Sequence, residues 1–393
     1  MNDPSICHVN LADGFRGGER QTFLLMEELA SRGFKQSLIA KSSSNLASNS
    51  KLIEGLEVIE SSFNGFDCRA YFKEAPLLHL HESRVFAAIW SYTIAPERKH
   101  IVTRRVERPP RSNFINKSIY SNANQTVTLS RAISKSVEQS LNLDLDPIVI
   151  PSAKTGFTND QTEVEKIRSK MGGRFIVGHI GVLDDSHKGQ LQIIELAKMT
   201  HETFPEICFL LVGSGKDDEY FKQLTQDLNN IELVGQKDNV GDYLAAFDLF
   251  IFPSRHEGLG SILLDAMDFG LPIIASNVGG IPEIIQNGVN GILVNLNSFD
   301  ANKEHQLMVE TKDSRLLWFG KEEQIAMEFQ GISGKSFKKE VLHKDDLALV
   351  KSLKALGTRL ARVKKMKRIV ALDAGQESQF EVILKKAASV KEY

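Results

Sequence analysis

Short apolar runs alternate with segments of helical spacing along most of this chain, and that alternation restricts its fold more than any other feature. Residues 6–9, Ile6-Cys7-His8-Val9, read as a buried strand. A loop over 11–18 follows, and residues 19–32 carry apolar side chains at helical spacing, closed by Gly33. Residues 37–40 form the next strand. Strand, glycine loop, helix, strand is a βαβ unit, and such units build parallel sheets. The pattern continues through 77–80, 100–103, 126–129 and 148–150, and the polar stretch 152–174 reads as a connector. It then restarts with strands at 175–181, 208–212, 231–234, 249–252 and 273–275.

A chain of 393 residues is about twice the length of one domain. The expectation is an α/β protein of two doubly wound, Rossmann-like parallel-sheet domains, at 1–155 and 156–300, with ligands at the carboxyl ends of the strands. Residues 301–393 read differently. The stretch 297–339 is polar and irregular, and 345–370 reads as a helix with Leu353, Leu356, Leu360, Val363 and Met366 along one side.

A net charge of −2 argues against a surface built for nucleic acid. Cys7, Cys68 and Cys208 lie too far apart for a metal or redox spacing and fit a reducing compartment. No apolar run approaches the ~20 residues of a spanning helix, and the N-terminus has no basic segment followed by a long apolar one. A cytoplasmic location is expected. Residues 359–368 carry six basic side chains around apolar ones, a pattern suited either to an anionic membrane surface or to packing against the domains.

The chemistry concentrates in a few loops. Residues 252–265 take the chain from a buried strand, through Glu257-Gly258-Leu259-Gly260-Ser261, into a helix. Gly258 and Gly260 let backbone N–H groups approach a diphosphate closely. Glu257 and Asp265 are acceptor-only carboxylates suited to sugar hydroxyls. A capped strand-to-helix turn has the same outline. Lys188, in a loop after another strand, places an ammonium where a leaving diphosphate needs neutralising. Gly17 and Gly18 precede a helix and leave room for an anion. In His79-Leu80-His81-Glu82 the two histidines share a strand face, which suggests zinc, but no third ligand is evident. Arg104 and Arg105 close a strand, where guanidinium groups grip phosphate or carboxylate of an acceptor, although a solvated loop explains them equally. Residues 213–218 lack the third glycine of a dinucleotide fingerprint and the hydroxyl of a P-loop. Asp144 and Asp146, beside Pro147, read as turn chemistry.

The stretch 252–265 resembles the signature of family-4 retaining glycosyltransferases, which carry two acids eight positions apart, here Glu257 and Asp265. Residues 269–275 and 278–283 resemble the family's next two motifs. Lys188-Gly189 resembles its lysine-glycine pair, with Val182 where the family usually has arginine. The resemblance implies the GT-B fold, with two domains facing across a cleft. It implies transfer of a sugar from a nucleoside diphosphate sugar to a hydroxyl acceptor with retained anomeric configuration. Lys188, Ser261 and the backbone at Gly258, Leu259 and Gly260 would then hold the diphosphate. Glu257 would orient the sugar, Asp265 the ribose, and His81 with Gly17 and Gly18 would close the cleft. The acceptor would be a glycan or glycolipid of bacterial lipopolysaccharide or surface polysaccharide, and neither metal nor other cofactor is expected. A sugar-nucleotide epimerase of the same architecture, or a nucleotide-sugar-binding protein without turnover, stand as alternatives.

Overall fold

The computed structural model describes residues 6–295, apart from 63–65, 96–97 and 203, and the backbone of five strands between 305 and 373. It divides into two compact units, one of Met1–Thr155 with Gly258–Ser261, the other of Gly156–Glu257 with Ile262–Tyr393.

The first unit is built on a seven-stranded sheet. Its strands are β1 (Ile6–Asn10), β2 (Gln36–Lys41), β3 (Leu56–Ser61), β4 (Leu77–Leu80), β5 (Lys99–Arg104), β6 (Gln125–Thr128) and β7 (Ile148–Val149). Their order is β3-β2-β1-β4-β5-β6-β7, with every pairing parallel. Helix α1 (Gly17–Ser31) returns the chain from β1 to β2 and ends at Gly33, whose φ of 78° suits a residue without Cβ. On one side of the sheet Met26, Leu38, Ala40, Leu46 and Ile53 form a buried cluster. Each large apolar side chain buried there contributes roughly 1.5–3 kcal/mol.

The second unit has six strands, β8 (Phe175–Ile180), β9 (Ile207–Val212), β10 (Ile231–Gly235), β11 (Leu249–Phe252), β12 (Ile273–Ser276) and β13 (Ile292–Val294). They lie in the order β10-β9-β8-β11-β12-β13, again all parallel. Strand β9 is buried at all six positions, as expected where helices cover both sheet faces. Gly178 in β8 has a packing reason: a Cβ there would meet the Phe247 ring at 2.1 Å.

Each sheet reverses its direction of winding once. In the first unit the reversal falls between β1 and β4, in the second between β8 and β11. At such a point the loops leaving the two strands diverge, which opens a ligand crevice at their carboxyl ends.

Four features differ from the sequence expectation. Strand β3 is half-buried at the sheet edge, so its apolar signal is diluted by Glu57 and Glu60. The edge strand β13 is apolar throughout but only three residues long. The connector 152–174 holds a helix, Gln161–Lys170, capped by Asp160, whose carboxylate accepts from the Thr162 N–H at 2.8 Å. Beyond 300, strands replace irregular chain. These are β14 (His305–Thr311), β15 (Arg315–Gly320), β16 (Gln324–Phe329), β17 (Glu340–His343) and β18 (Met366–Asp373), in an antiparallel sheet ordered β17-β16-β15-β14-β18. Backbone pairing across that sheet overrides the weak helical spacing at 366–370. The rest of the expected helix, 345–365, and most of the basic segment 359–368 lie outside the described residues.

Candidate active site

Lys188 and Glu257 meet at the reversal point of the second sheet. The chain leaves β8, turns through 181–184, makes one helical turn at Asp185–Lys188, and enters the helix Gln190–Thr200 at Gly189. Leaving β11, it runs through Pro253 and Ser254 to Glu257. The Lys188 ammonium lies 2.5 Å from Glu257 Oε2 and 5.0 Å from the centre of the Phe252 ring. Both side chains keep partial solvent exposure, 23% and 16%, so an incoming anion and a sugar hydroxyl can reach them.

Contacts that the sequence reading missed lock the two loops together. Arg255 donates through Nη2 to the Asp185 carboxylate (3.0 Å) and through Nε to the Asp185 carbonyl (3.1 Å). Its backbone N–H donates to the His187 carbonyl at 2.8 Å. The other Asp185 oxygen accepts from the Leu191 N–H at 2.8 Å. Gly189 has a φ of 68°, and a Cβ there would stand 2.1 Å from the Pro253 carbonyl oxygen. Glycine is therefore required both by the backbone conformation and by the approach of the second loop. Beneath Lys188, buried His179 donates from Nδ1 to the Ile251 carbonyl (3.0 Å), and its Nε2 faces the Gln190 amide at 3.3 Å. Burial pushes its pKa down to about 4, so it is neutral and braces β8 against β11. Gly213 and Gly215, considered above as nucleotide motifs, are packing glycines: Cβ atoms there would meet the carbonyl oxygens of Gly181 and Leu183 at 1.9 and 2.2 Å.

Asp265 lies in the first turn of the helix Ile262–Asp268 and is buried at 4% exposure. The motif residues between the two acids belong to the first unit. There Ser130 Oγ donates to the Gly258 carbonyl at 2.7 Å, Ser261 Oγ bonds Ser152 Oγ at 2.8 Å, and Leu259 is buried. Gly260 adopts a φ of 84°.

The first unit gathers a second cluster at its own reversal point. Strands β1 and β4 pair so that His8 stands opposite His79, which brings His8, His79 and His81 together with ring nitrogens within 4.8 Å of one another. A third imidazole thus exists where the sequence showed two; only the β1–β4 register reveals it. The bond directions follow from one end. Arg105 Nη1 can only donate, so His81 Nδ1 (2.9 Å) accepts. His81 Nε2–H then donates to His8 Nδ1 (3.0 Å), His8 Nε2–H donates to Gln36 Oε1 (3.1 Å), and Gln36 Nε2–H donates to the Met26 carbonyl (2.8 Å). His79 Nε2 bonds Thr103 Oγ1 at 2.7 Å. Burial holds all three imidazoles neutral, with His8 lowered to about 4 and the other two well below the usual histidine value. Neutral imidazoles are zinc's preferred nitrogen ligands. A metal here would nonetheless have to displace the His8–His81 bond and sit beside the Arg105 cation.

Arg104 and Arg105 point to different tasks. Arg104 bonds the Arg108 carbonyl and lies against Tyr120, whereas Arg105 joins the histidines and runs alongside Gly18. Gly17 opens α1, where the Arg16 N–H donates to the Glu19 carboxylate at 2.9 Å. Asp144 and Asp146 are exposed residues of the irregular segment before β7. Cys7, Cys68 and Cys208 are buried free thiols. Among the described residues no helix is long and apolar enough to cross a membrane.

Residues 174–308 match the family model of glycosyl transferases group 1. N-acetyl-alpha-D-glucosaminyl L-malate synthase of Bacillus anthracis is 34% identical over 140 residues, covering 35% of this chain and 36% of that protein. The UDP-Gal:alpha-D-GlcNAc-diphosphoundecaprenol alpha-1,3-galactosyltransferase of Escherichia coli is 32% identical over 143 residues, 35% of this chain and 37% of that one. The matched part thus spans little over a third of either relative. Among solved structures, Anabaena HepE in complex with UDP-glucose superposes with a TM-score of 0.62 at 19% identity, covering 74% of this chain and 85% of that one. The two parallel-sheet units have the GT-B fold, and residues 174–308 resemble the group 1 glycosyltransferases.

Proposed function

We propose that the protein transfers a sugar from a nucleoside diphosphate sugar to a hydroxyl group of a glycan or glycolipid, with retention at the anomeric carbon. The observation that carries this reading is the Lys188–Glu257 pair at the reversal point of the second sheet. Breaking the glycosyl–phosphate bond leaves negative charge on the diphosphate and positive charge on the sugar ring. An ammonium held by a rigid loop stabilises the first without reorganising, and the carboxylate beside it accepts sugar hydroxyls and orients the ring. Lys188 and Glu257 neutralise each other, so donor binding exchanges one ion pair for contacts to phosphate and hydroxyl. Asp265 holds the ribose in this reading, and the backbone at Gly258–Ser261 follows the diphosphate.

Lys188 supplies the charge that a divalent metal would otherwise supply, so no metal is required. The Escherichia coli relative is named for a diphosphoundecaprenol-linked acceptor, which supports an acceptor in bacterial surface glycan synthesis. The test is a panel of nucleoside diphosphate sugars assayed for acceptor-independent hydrolysis and for transfer, with and without EDTA. One donor should be consumed, equally in EDTA, and Glu257→Ala should abolish consumption while leaving the circular dichroism unchanged. Consumption that EDTA stops and manganese restores, or an active Glu257→Ala, would overturn the assignment.

A further inference from the structure

Arg105 is a cation set beside neutral imidazoles. It is half-buried, it forms no ion pair among the described residues, and its Nε has no hydrogen-bond partner and no solvent. Burial lowers its pKa to about 10, with Glu19 acting only at longer range. Among the described residues its side-chain hydrogen bond goes to His81, a neutral imidazole. Leaving a guanidinium N–H unpaired out of water is costly, and a relay of His81, His8 and Gln36 keeps the group in place. That relay ends on the Met26 carbonyl of α1, so the guanidinium position is fixed by the β1–α1–β2 framework. Alongside lies Gly18, where even a Cβ would come within 3.7 Å of Arg105 Cδ, at the N-terminal end of a fifteen-residue helix whose dipole favours an anion.

We propose that Arg105, oriented by the His81–His8–Gln36 relay, binds an oxyanion of the acceptor, a phosphate or a carboxylate. The inference rests on the transferase reading above and adds the chemical class of its second substrate. Arg105 follows β5, the neighbour of β4, and its guanidinium reaches His81 at the carboxyl end of β4. Lys188 in the second unit answers the donor diphosphate, and a separate guanidinium in the first unit answers a separate anion. Arginine suits this task because its planar fork meets two oxygens at once and stays charged even when desolvated. His8 and His81 are positioning residues here: they hold the guanidinium and do not touch the anion.

The experiment uses the full chain and inorganic phosphate as the probe, titrated at constant ionic strength and followed by phosphorus-31 line broadening, first alone and then with the protein saturated by UDP. Wild type should bind phosphate saturably under both conditions. Arg105→Met should weaken phosphate binding at least tenfold and leave UDP affinity within twofold. Arg105→Lys, which keeps the charge, should retain part of the phosphate affinity. Phosphate binding untouched by Arg105→Met would overturn the proposal. So would complete displacement of phosphate by UDP, because the anion at Arg105 would then be the donor's own diphosphate. A protein that fails to bind UDP would refute the donor assignment at Lys188, while the phosphate titration of Arg105→Met against wild type would still decide this one.

Discussion

The Lys188 ammonium and the Glu257 carboxylate, 69 positions apart in the chain, lie 2.5 Å from each other at the carboxyl ends of two neighbouring parallel strands. If they serve donor phosphate and donor sugar respectively, the two substitutions must separate. Lys188→Ala should weaken nucleoside diphosphate binding by about 2 kcal/mol, the size of a charge-assisted contact. Glu257→Gln should keep that affinity within about threefold and lower turnover at least a hundredfold, a transition-state loss near 2.7 kcal/mol. Calorimetry together with steady-state rates reads both, and equal effects on binding and turnover in the two variants would contradict the division of labour.

Gly189 joins the two loops sterically. Gly189→Ala places a Cβ 2.1 Å from the Pro253 carbonyl oxygen at a φ of 68°, so we expect a loss of roughly 2 kcal/mol or more in urea unfolding. The same shift separates Lys188 from Glu257, and nucleoside diphosphate affinity should fall with stability. A variant as stable as wild type would show that the loops do not meet there.

Asp265 is buried, and a glutamate in its place would be one methylene longer. Asp265→Glu therefore adds volume to a filled place, at a cost of about 1–3 kcal/mol, and donor affinity should fall. A tenfold rise in both affinity and turnover would instead mean that the shorter acid is a weakened ribose ligand.

Stability should depend on pH through the buried histidines. His8 in the first unit and His179 in the second both have values lowered from 6.5 to about 4. Between those limits the unfolded chain binds more protons than the folded one, so stability is complete above pH 6.5 and is lost as pH falls toward 4. For His179 alone the full loss is on the order of 3 kcal/mol. Urea midpoints measured from pH 7 to 4.5 should drop steadily, beginning below about 6.5. A flat profile would mean these imidazoles are already charged when folded.

The sequence by itself determined the class of fold and the loops that bear chemistry. Continuous apolar strands such as 208–212, alternating with helical segments, leave a chain few ways to bury itself other than parallel sheets covered on both faces. Glu257 and Lys188 stood out as candidates because each lies in a glycine-containing loop after a buried strand, and the fold brings the two together. What the sequence could not show is pairing across distance. Strand β18 pairs with β14 far back along the chain, whereas β3 and the consecutive strands β14–β17 were missed because their local spacing is weak. The Lys188–Glu257 contact exists because β8 and β11 lie side by side at a reversal of strand order, a property of the whole sheet. His8 looked like one polar residue in a buried strand; only its register against His79 made it the middle of a relay. Likewise two adjacent arginines read as one basic patch, until the fold sent Arg104 to Tyr120 and Arg105 to the histidines. Local sequence fixes which groups are present, but their partners, burial and protonation states come from contacts that only the folded sheet can make.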